Sequence, residues 1–480
     1  MLTFSYQNAW IANYSGTSKE IGWLKKLFTY QDMSDTRHKK KFGYFPSVIC
    51  LGPVMSHGQV IHAVKQAKAE NISFNIEDPN FRYMLETGPI QENYLPNITA
   101  RNYQLLAAQI ALGKGHGLVK MATGAGKTVT FSLVVKTLIE KTDVPGILIL
   151  ILSKDLLNQT ARRFESYGID PDLIGIIHSD IPFEKQKIAA QKRIVLSTHL
   201  SITKFQGVIE KTKYVICDEA AHATGPMWSA LFPMLPNLSN ILGFTATPWD
   251  SEGERQKMIA VFGQMLVDIP AKWLIQQEIL IKPEVFFIRL YYKDRNKEVL
   301  KAMDWRQAEK QLILEEKNRN LLPIVVLRKF GGRMLVIYDK LAHGETLLNL
   351  YKENGYDTRL AEGKTSTKDR ESAITWFEKD LEPGQQGKVL LASRVFDEGV
   401  DIKGGCDLGF LVGAGKDPSR TKQRLGRLLR QNKTGKVMVF DVQDSNHTIL
   451  SRWAGIRRNA ILEETGIDPT VISLEDFMKL

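Results

Sequence analysis

Six residues of this chain have the types and spacing to handle a polyphosphate: Lys127, Thr128, Asp218, Glu219, Arg427 and Arg430. The first two close the string Met121-Ala-Thr-Gly-Ala-Gly-Lys-Thr128, which lies between the apolar runs 118–119 and 129–138. Strand, glycine-rich turn, then helix is the layout of a phosphate-binding loop. The turn Thr123-Gly-Ala-Gly126 lets backbone N–H groups approach an anion closely, and the helix that follows adds the positive end of its dipole. Lys127 has the reach for the β- and γ-phosphates, and the Thr128 hydroxyl suits Mg²⁺. The general pattern begins with Gly where Met121 stands here. A glycine turn that binds nothing is the plainer alternative.

A second string makes that alternative harder to hold. Tyr214-Val-Ile-Cys-Asp-Glu219 reads as an apolar strand ending in two carboxylates. Asp218 can hold a metal through its waters, and Glu219 can orient or deprotonate an attacking water. Later in the chain comes Gln423-Arg-Leu-Gly-Arg-Leu-Leu-Arg430. Arg427 and Arg430 are three apart, so they share a helical face. Two guanidinium groups presented together suit the charge that builds on a transferring phosphoryl group.

These residues need elements to hold them. Over residues 96–283, short apolar runs at 118–119, 147–152, 194–197, 215–217 and 241–244 alternate with helical stretches, which predicts a parallel sheet covered on both faces. The pattern restarts at 334–338, 389–392, 408–412 and 437–442, with helices between, such as 344–354 and 368–378. Two tandem α/β domains are expected, 96–283 and 284–450, joined near 277–295. Residues 451–480 read as an amphipathic helical tail packed on the second lobe. Residues 1–95 are mixed and predict a small α+β domain with antiparallel pairing. It carries Arg37-His-Lys-Lys-Lys41 followed by Phe42, Tyr44 and Phe45. Lys39, Lys40 and Lys41 could contact phosphates while the aromatics stack on bases. A solvated basic loop beside a strand that buries its aromatics is the rival reading.

Composition bounds the partners. The chain has 480 residues, 43% hydrophobic and 24% charged, with a formal net charge of +11. The excess favours a polyanion, most simply nucleic acid. Three widely separated cysteines, Cys50, Cys217 and Cys406, offer neither zinc spacing nor a disulfide framework, and a reducing, intracellular compartment follows more easily. No apolar run has membrane-spanning length and no secretory signal is visible. A cytoplasmic location is expected.

In order and wording these strings resemble the motifs of the superfamily two helicases and translocases, over residues 96–444. Arg101-Asn-Tyr-Gln104 resembles the upstream adenine-reading motif, and the loop through Thr128 resembles motif I. Ser153-Lys154 with Gln159 resembles motif Ia, and Ser197-Thr198-His199 the next strand-contacting motif. Asp218-Glu-Ala-Ala-His222 is similar to motif II and Thr245-Ala-Thr-Pro248 to motif III. Val336-Ile-Tyr-Asp-Lys340 resembles motif IV, Asp397-Glu-Gly-Val-Asp401 motif V, and Gln423 to Arg430 motif VI. Two positions depart: Ala221 stands where many relatives have His, with His222 one place later, and Gln423 opens motif VI where many have His.

The resemblance implies two tandem RecA-like parallel-sheet domains preceded by a small α+β domain, and hydrolysis of ATP with Mg²⁺. It implies ATP contacts at Arg101, Gln104, Thr123, Gly124, Ala125, Gly126, Lys127, Thr128, Gly399, Asp401 and Gln423. It implies nucleic-acid contacts at Lys154, Ser197, Thr198 and Lys340. The layout, a small basic domain before two compact lobes, is similar to that of bacteriophage branch-migration helicases of the UvsW type, whose setting is the host cytoplasm. The expectation is an ATP-dependent motor on forked or branched DNA. An RNA helicase, the motor of a restriction or defence complex, and an ATP-switched binding protein are the alternatives.

Overall fold

Two long parallel sheets and one short mixed sheet organise the chain. The computed structural model describes residues 1–6, 11–31, 47–49, 55–77, 89–225, 231–292, 295–363, 365–393, 402, 404–413 and 415–479. The N-terminal part holds β1 (Leu2–Tyr6), β2 (Ile11–Ser15), β3 (Thr29–Gln31), β4 (Ser47–Ile49), β5 (Met55–Ser56) and β6 (Phe74–Glu77). Its main sheet has the order β5-β2-β1-β6, and β3 and β4 form a separate antiparallel ribbon. Two pairings in the main sheet are antiparallel, but β6 runs parallel to β1. The expected antiparallel pairing holds for those two, and β6 adds a parallel one. The helix His57–Ala69 lies between β5 and β6 and carries the chain back, as a parallel connection requires. Both described helices of this part start with capping boxes, Thr17 with Glu20 and Ser56 with Gln59. Leu2, Phe4, Ala12, Leu24, Phe28, Met55, Val60 and Ala63 form its core, completed by Ile259. Ile259 belongs to the helix Glu252–Phe262 of the next domain.

The next sheet comprises β7 (His116–Met121), β8 (Ile147–Leu150), β9 (Ile174–Ile177), β10 (Ile194–Ser197), β11 (Tyr214–Asp218), β12 (Asn240–Thr245) and β13 (Met265–Ile269), in the order β13-β7-β12-β11-β8-β10-β9. β8, β10, β11 and β12 are buried along their whole length, as expected of strands covered by helices on both faces. The third sheet comprises β14 (Glu284–Leu290), β15 (Gly332–Ile337), β16 (Asp357–Ala361), β17 (Gly387–Ala392), β18 (Leu408–Leu411), β19 (Met438–Asp444) and β20 (Thr470–Ser473), in the order β16-β17-β15-β18-β19-β14-β20. Its pairings are parallel throughout. The fold is thus two RecA-like domains in tandem behind a small mixed domain. Every apolar run read as a strand of the two parallel sheets overlaps one, and the run 129–138 lies in the helix Lys127–Lys141. In the two parallel sheets the unread strands are β9, β13, β16 and β20, their four edges, and β14 beside one of them. Edge strands alternate or carry polar residues, so they lack the continuous apolar run that marks a central strand.

The chain divides into two compact units, residues 1–121 with 126–268, and residues 122–125 with 269–480. In the second unit the helix Thr448–Thr465 follows β19 and is tied to it by Arg457, which donates to both oxygens of Asp441 at 2.7 and 2.8 Å. The tail then adds β20 beside β14. Deeper in this unit Arg319, fully buried, donates to Asp444 at 3.1 Å and to the Val412 carbonyl at 2.6 Å, and Tyr292 donates to the same carboxylate at 2.5 Å. His343 lies against this group and shares a 2.9 Å hydrogen bond with Asn320. Among the described residues, no helix is long and apolar enough to cross a membrane.

Burial, with the nearby Arg319 charge, pushes His343 down from 6.5 to about 3. The unfolded chain therefore holds one more proton than the native chain between those values, and stability falls as pH drops from 6.5 toward 3. A single such group contributes a slope of about 1.4 kcal/mol per pH unit. His343→Gln, which retains a partner for Asn320, is expected to flatten this part of the acid limb in urea melts between pH 7 and 4.5. An unchanged slope would show that His343 is not the group responsible.

Candidate nucleotide site

β7 ends at Met121, and the chain then turns through 122–126 into the helix Lys127–Lys141. Gly124 and Gly126 adopt φ of 88° and 84°, a region glycine enters without penalty. At Gly126 a Cβ would also lie 2.2 Å from Gln104 Nε2, so a side chain there would have to push the end of Gln104 aside. Gly126 is also the N-cap and supplies no side-chain acceptor. The first-turn N–H groups are thus left to an incoming anion. Gln104 is buried, and its Oε1 accepts the Arg101 N–H at 2.9 Å. The residue assigned to adenine reading is thereby set against the phosphate loop.

Asp218 closes β11 and Glu219 follows it. Lys127 Nζ donates to Glu219 Oε1 at 2.6 Å, the two side chains being 14% and 18% exposed. Asp218 accepts the Glu219 N–H at 3.0 Å. Burial pushes its carboxyl up to about 6, opposed by the Lys127 charge and reinforced by Glu219. Glu219 itself has φ 48° and ψ 52°, a left-handed conformation costly for a residue with a side chain. Such outliers cluster where surrounding structure holds a working group in place. Thr128 receives a hydrogen bond from Arg163 Nη1 at 3.1 Å. Arg163 was not among the residues read from sequence. It lies in the helix Lys154–Ser166, and its meeting with Thr128 depends on packing of that helix beside the loop.

The remaining candidates are distributed as follows. Lys154 opens its helix and pairs with Asp180 at 2.5 Å on an exposed surface. Ser197 is fully buried, and its hydroxyl donates to the Ile177 carbonyl at 3.1 Å. Thr198 next to it is half-buried and hydrogen-bonds Ser201 at 3.0 Å. His222 is exposed on the short helix Ala220–Thr224. In the second unit, Lys340 caps the helix Leu341–Glu353, 3.5 Å from Glu309. Gln423 and Arg427 lie on the helix Pro418–Leu428, and Arg430 lies just beyond it. The intervening Arg424 is buried and donates to Asp339 at 2.7 Å, a link between two sequence motifs that neither string revealed. Gly399, Asp401, Lys39, Lys40 and Lys41 lie outside the described residues.

A glycine turn feeding a helix, a lysine on its first turn and an Asp-Glu pair at the tip of a parallel strand define a P-loop nucleoside triphosphatase. Comparison with known families narrows the class. The family described as "Type III restriction enzyme, res subunit" matches residues 87–250, and "Helicase conserved C-terminal domain" matches residues 316–432. With both halves matched in order, the chain belongs to the superfamily two helicases and is an ATP-driven helicase or translocase. It is 25% identical over 495 residues to the protein named "Putative helicase 22" of Sulfolobus islandicus filamentous virus, covering 95% of this chain and 83% of that one. It is 22% identical over 421 residues to the DNA 3'-5' translocase XPB2 of Sulfurisphaera tokodaii, covering 77% and 89%. The crystal structure of T4 UvsW aligns over 98% of this chain and 99% of that one, at 18% identity and a TM-score of 0.46.

Because Lys127 and Glu219 are mostly buried partners, removing one leaves the other's charge poorly solvated. Lys127→Met and Glu219→Gln are each expected to lower unfolding free energy by about 1–3 kcal/mol. The double variant should lose less than the sum of the two. Thermal or urea melts of the four proteins without added nucleotide decide it; strict additivity would dissolve the pair.

Proposed function

We propose that this motor moves on DNA and acts on forked or branched substrates. The observation that carries the motor reading is the Lys127, Asp218 and Glu219 group set beside Thr128. DNA as the track is supported by the net charge of +11 and by the relative named as a DNA translocase. Selection of branched substrates is assigned to residues 1–95, with Lys39, Lys40 and Lys41 as phosphate contacts. It is supported by the way this part completes its core with Ile259, on a helix that follows the Thr245-Ala-Thr-Pro248 motif by only a few residues. The compartment proposed is the cytoplasm, in keeping with the free, buried Cys217 and Cys406.

In this reading Gln104, with Arg101, holds the adenine, while N–H groups of Thr123, Gly124, Ala125 and Gly126 line the phosphates. Lys127 exchanges Glu219 for the β- and γ-phosphate oxygens, which releases Glu219 to take a proton from the attacking water. One hydroxyl and one carboxylate fit Mg²⁺, which is commonly held by one or two carboxylates together with substrate phosphates rather than by a protein cage. Among the described residues no group of three or more His, Cys, Asp or Glu is placed to hold a metal ion by itself. Thr128 and Asp218 would hold the ion, whose contribution is to neutralise charge on the transferring group. Gln423, Arg427 and Arg430, with Gly399 and Asp401, supply the second lobe's contacts, and the two arginines stabilise the transferring phosphoryl group. Lys154, Ser197, Thr198 and Lys340 grip the strand. Ser197 would do so through its backbone, since its hydroxyl is committed inside the fold. Phosphate contacts of this kind make binding insensitive to sequence and sensitive to salt.

A second reading, the motor of a restriction complex, is favoured by the family match over residues 87–250. The deciding measurement is ATPase rate with no nucleic acid, single-stranded DNA, linear duplex, a model fork, a four-way junction and matched RNA. Forks and junctions are expected to stimulate most, and Glu219→Gln to lower the rate by about 10²–10⁴-fold. Linear duplex as the best activator would favour the restriction motor. RNA as the best activator would overturn the DNA assignment, and no hydrolysis under any condition would overturn the motor.

A further inference from the structure

Arg163 belongs to none of the motif residues named above, yet it donates to Thr128 Oγ1 at 3.1 Å. Its charge also reaches Asp218, where it favours the carboxylate. Thr128 and Asp218 are the two side chains assigned above to Mg²⁺. A hydroxyl oxygen has two lone pairs, but a guanidinium and a divalent cation at bonding distance from one oxygen repel each other strongly. The two cations therefore compete for Thr128.

Arg163 stands in the last turn of the helix Lys154–Ser166, and Lys154 is that helix's first residue. They are nine positions apart, about 14 Å along a helix axis. The helix between them is continuous, buried on one face and capped. Leu157, Thr160, Ala161 and Phe164 are buried, and the Ser153 hydroxyl caps the first turn. Phe164 meets Phe131 of the phosphate-loop helix edge to face, ring centroids 6.0 Å apart. Lys154, at the far end, holds an exposed ion pair with Asp180, a contact that solvent and salt weaken. One helix thus touches the metal side of the nucleotide site at one end and presents a strand-contact candidate at the other.

We propose that Arg163 is a positioning residue that competes with Mg²⁺ for Thr128, and that its release on nucleotide loading moves the Lys154 end of the helix. This rests on the Mg²⁺ assignment made above. Loading and strand grip are then two ends of one equilibrium, and each must shift the other by the same factor.

The test measures binding of a fluorescent, slowly hydrolysed ATP analogue by anisotropy as Mg²⁺ is raised, in wild type, Arg163→Gln, Arg163→Met and Arg163→Lys. Removal of the charge in the Gln and Met variants is expected to lower the Mg²⁺ midpoint by about 5- to 50-fold, with the Lys variant close to wild type. Affinity for a labelled single-stranded DNA, measured with and without the analogue, should change on nucleotide binding in wild type. That ratio should approach one in the Gln and Met variants. Circular dichroism melts identify any variant that fails to fold, and the other then decides. A wild type whose nucleotide binding ignores Mg²⁺ would overturn the metal assignment, and the inference with it. A Mg²⁺-dependent wild type with an unchanged or raised midpoint in the folded Gln or Met variant would overturn the role of Arg163 alone.

Discussion

The arrangement of the first parallel sheet follows from one demand: two carboxylates and a lysine must be held together at a sheet end that is largely shielded from water. β7 and β11, which deliver them, flank β12. Two strand spacings, about 10 Å, separate the loop from the Asp-Glu pair, and the long Lys127 side chain bridges that gap to reach Glu219. Shielding makes each charge depend on the others. Asp218 is pushed up by burial and held back by Lys127. Glu219 is kept in a left-handed backbone conformation that no local preference supplies. The fully buried strands around the site provide the rigidity that such a conformation requires.

Much of this was legible in the residues themselves. The central strands announced themselves as unbroken apolar runs, because a strand covered on both faces has no polar side to show. Lys127 and Thr128 stand in one short string and Asp218 and Glu219 in another, and the meeting of the two at the sheet end was legible because strand, glycine turn and helix follow one another in so few residues. The edge strands were not, since β16, Asp357-Thr-Arg-Leu-Ala361, reads as easily as a loop. Nor were the contacts that join distant strings, such as Arg163 with Thr128 or Arg424 with Asp339. Each depends on how a helix rotates and packs, which periodicity constrains loosely. The parallel pairing of β6 with β1 was equally hidden, because strand direction is set by the connection between strands and not by their composition.

The second parallel domain solves a different problem. Its interior contains Arg319, Asp444, Asp441 and Arg457, all buried. Charges withdrawn from water stabilise a fold only when their partners are well placed. Here the partners come from both termini of the domain. Asp441 and Asp444 sit on β19, Arg319 on the helix Lys317–Phe330, Arg457 on the helix Thr448–Thr465, and Tyr292 just past β14. These bonds draw the last helix into the body of the domain, so the tail is part of its architecture and not an appendage.

The closure of the N-terminal core by Ile259 also bears on ancestry. A module that had its own sealed core could be gained, lost or exchanged by recombination at its linker. This one leaves part of its apolar face to a helix that belongs to its neighbour. Substitutions on the two sides of that contact must accommodate each other, so the small domain and the first motor lobe are bound to change together. Ile259 and the Ser56 hydroxyl, which donates to the Ala260 carbonyl, tie the packing of the one to that of the other.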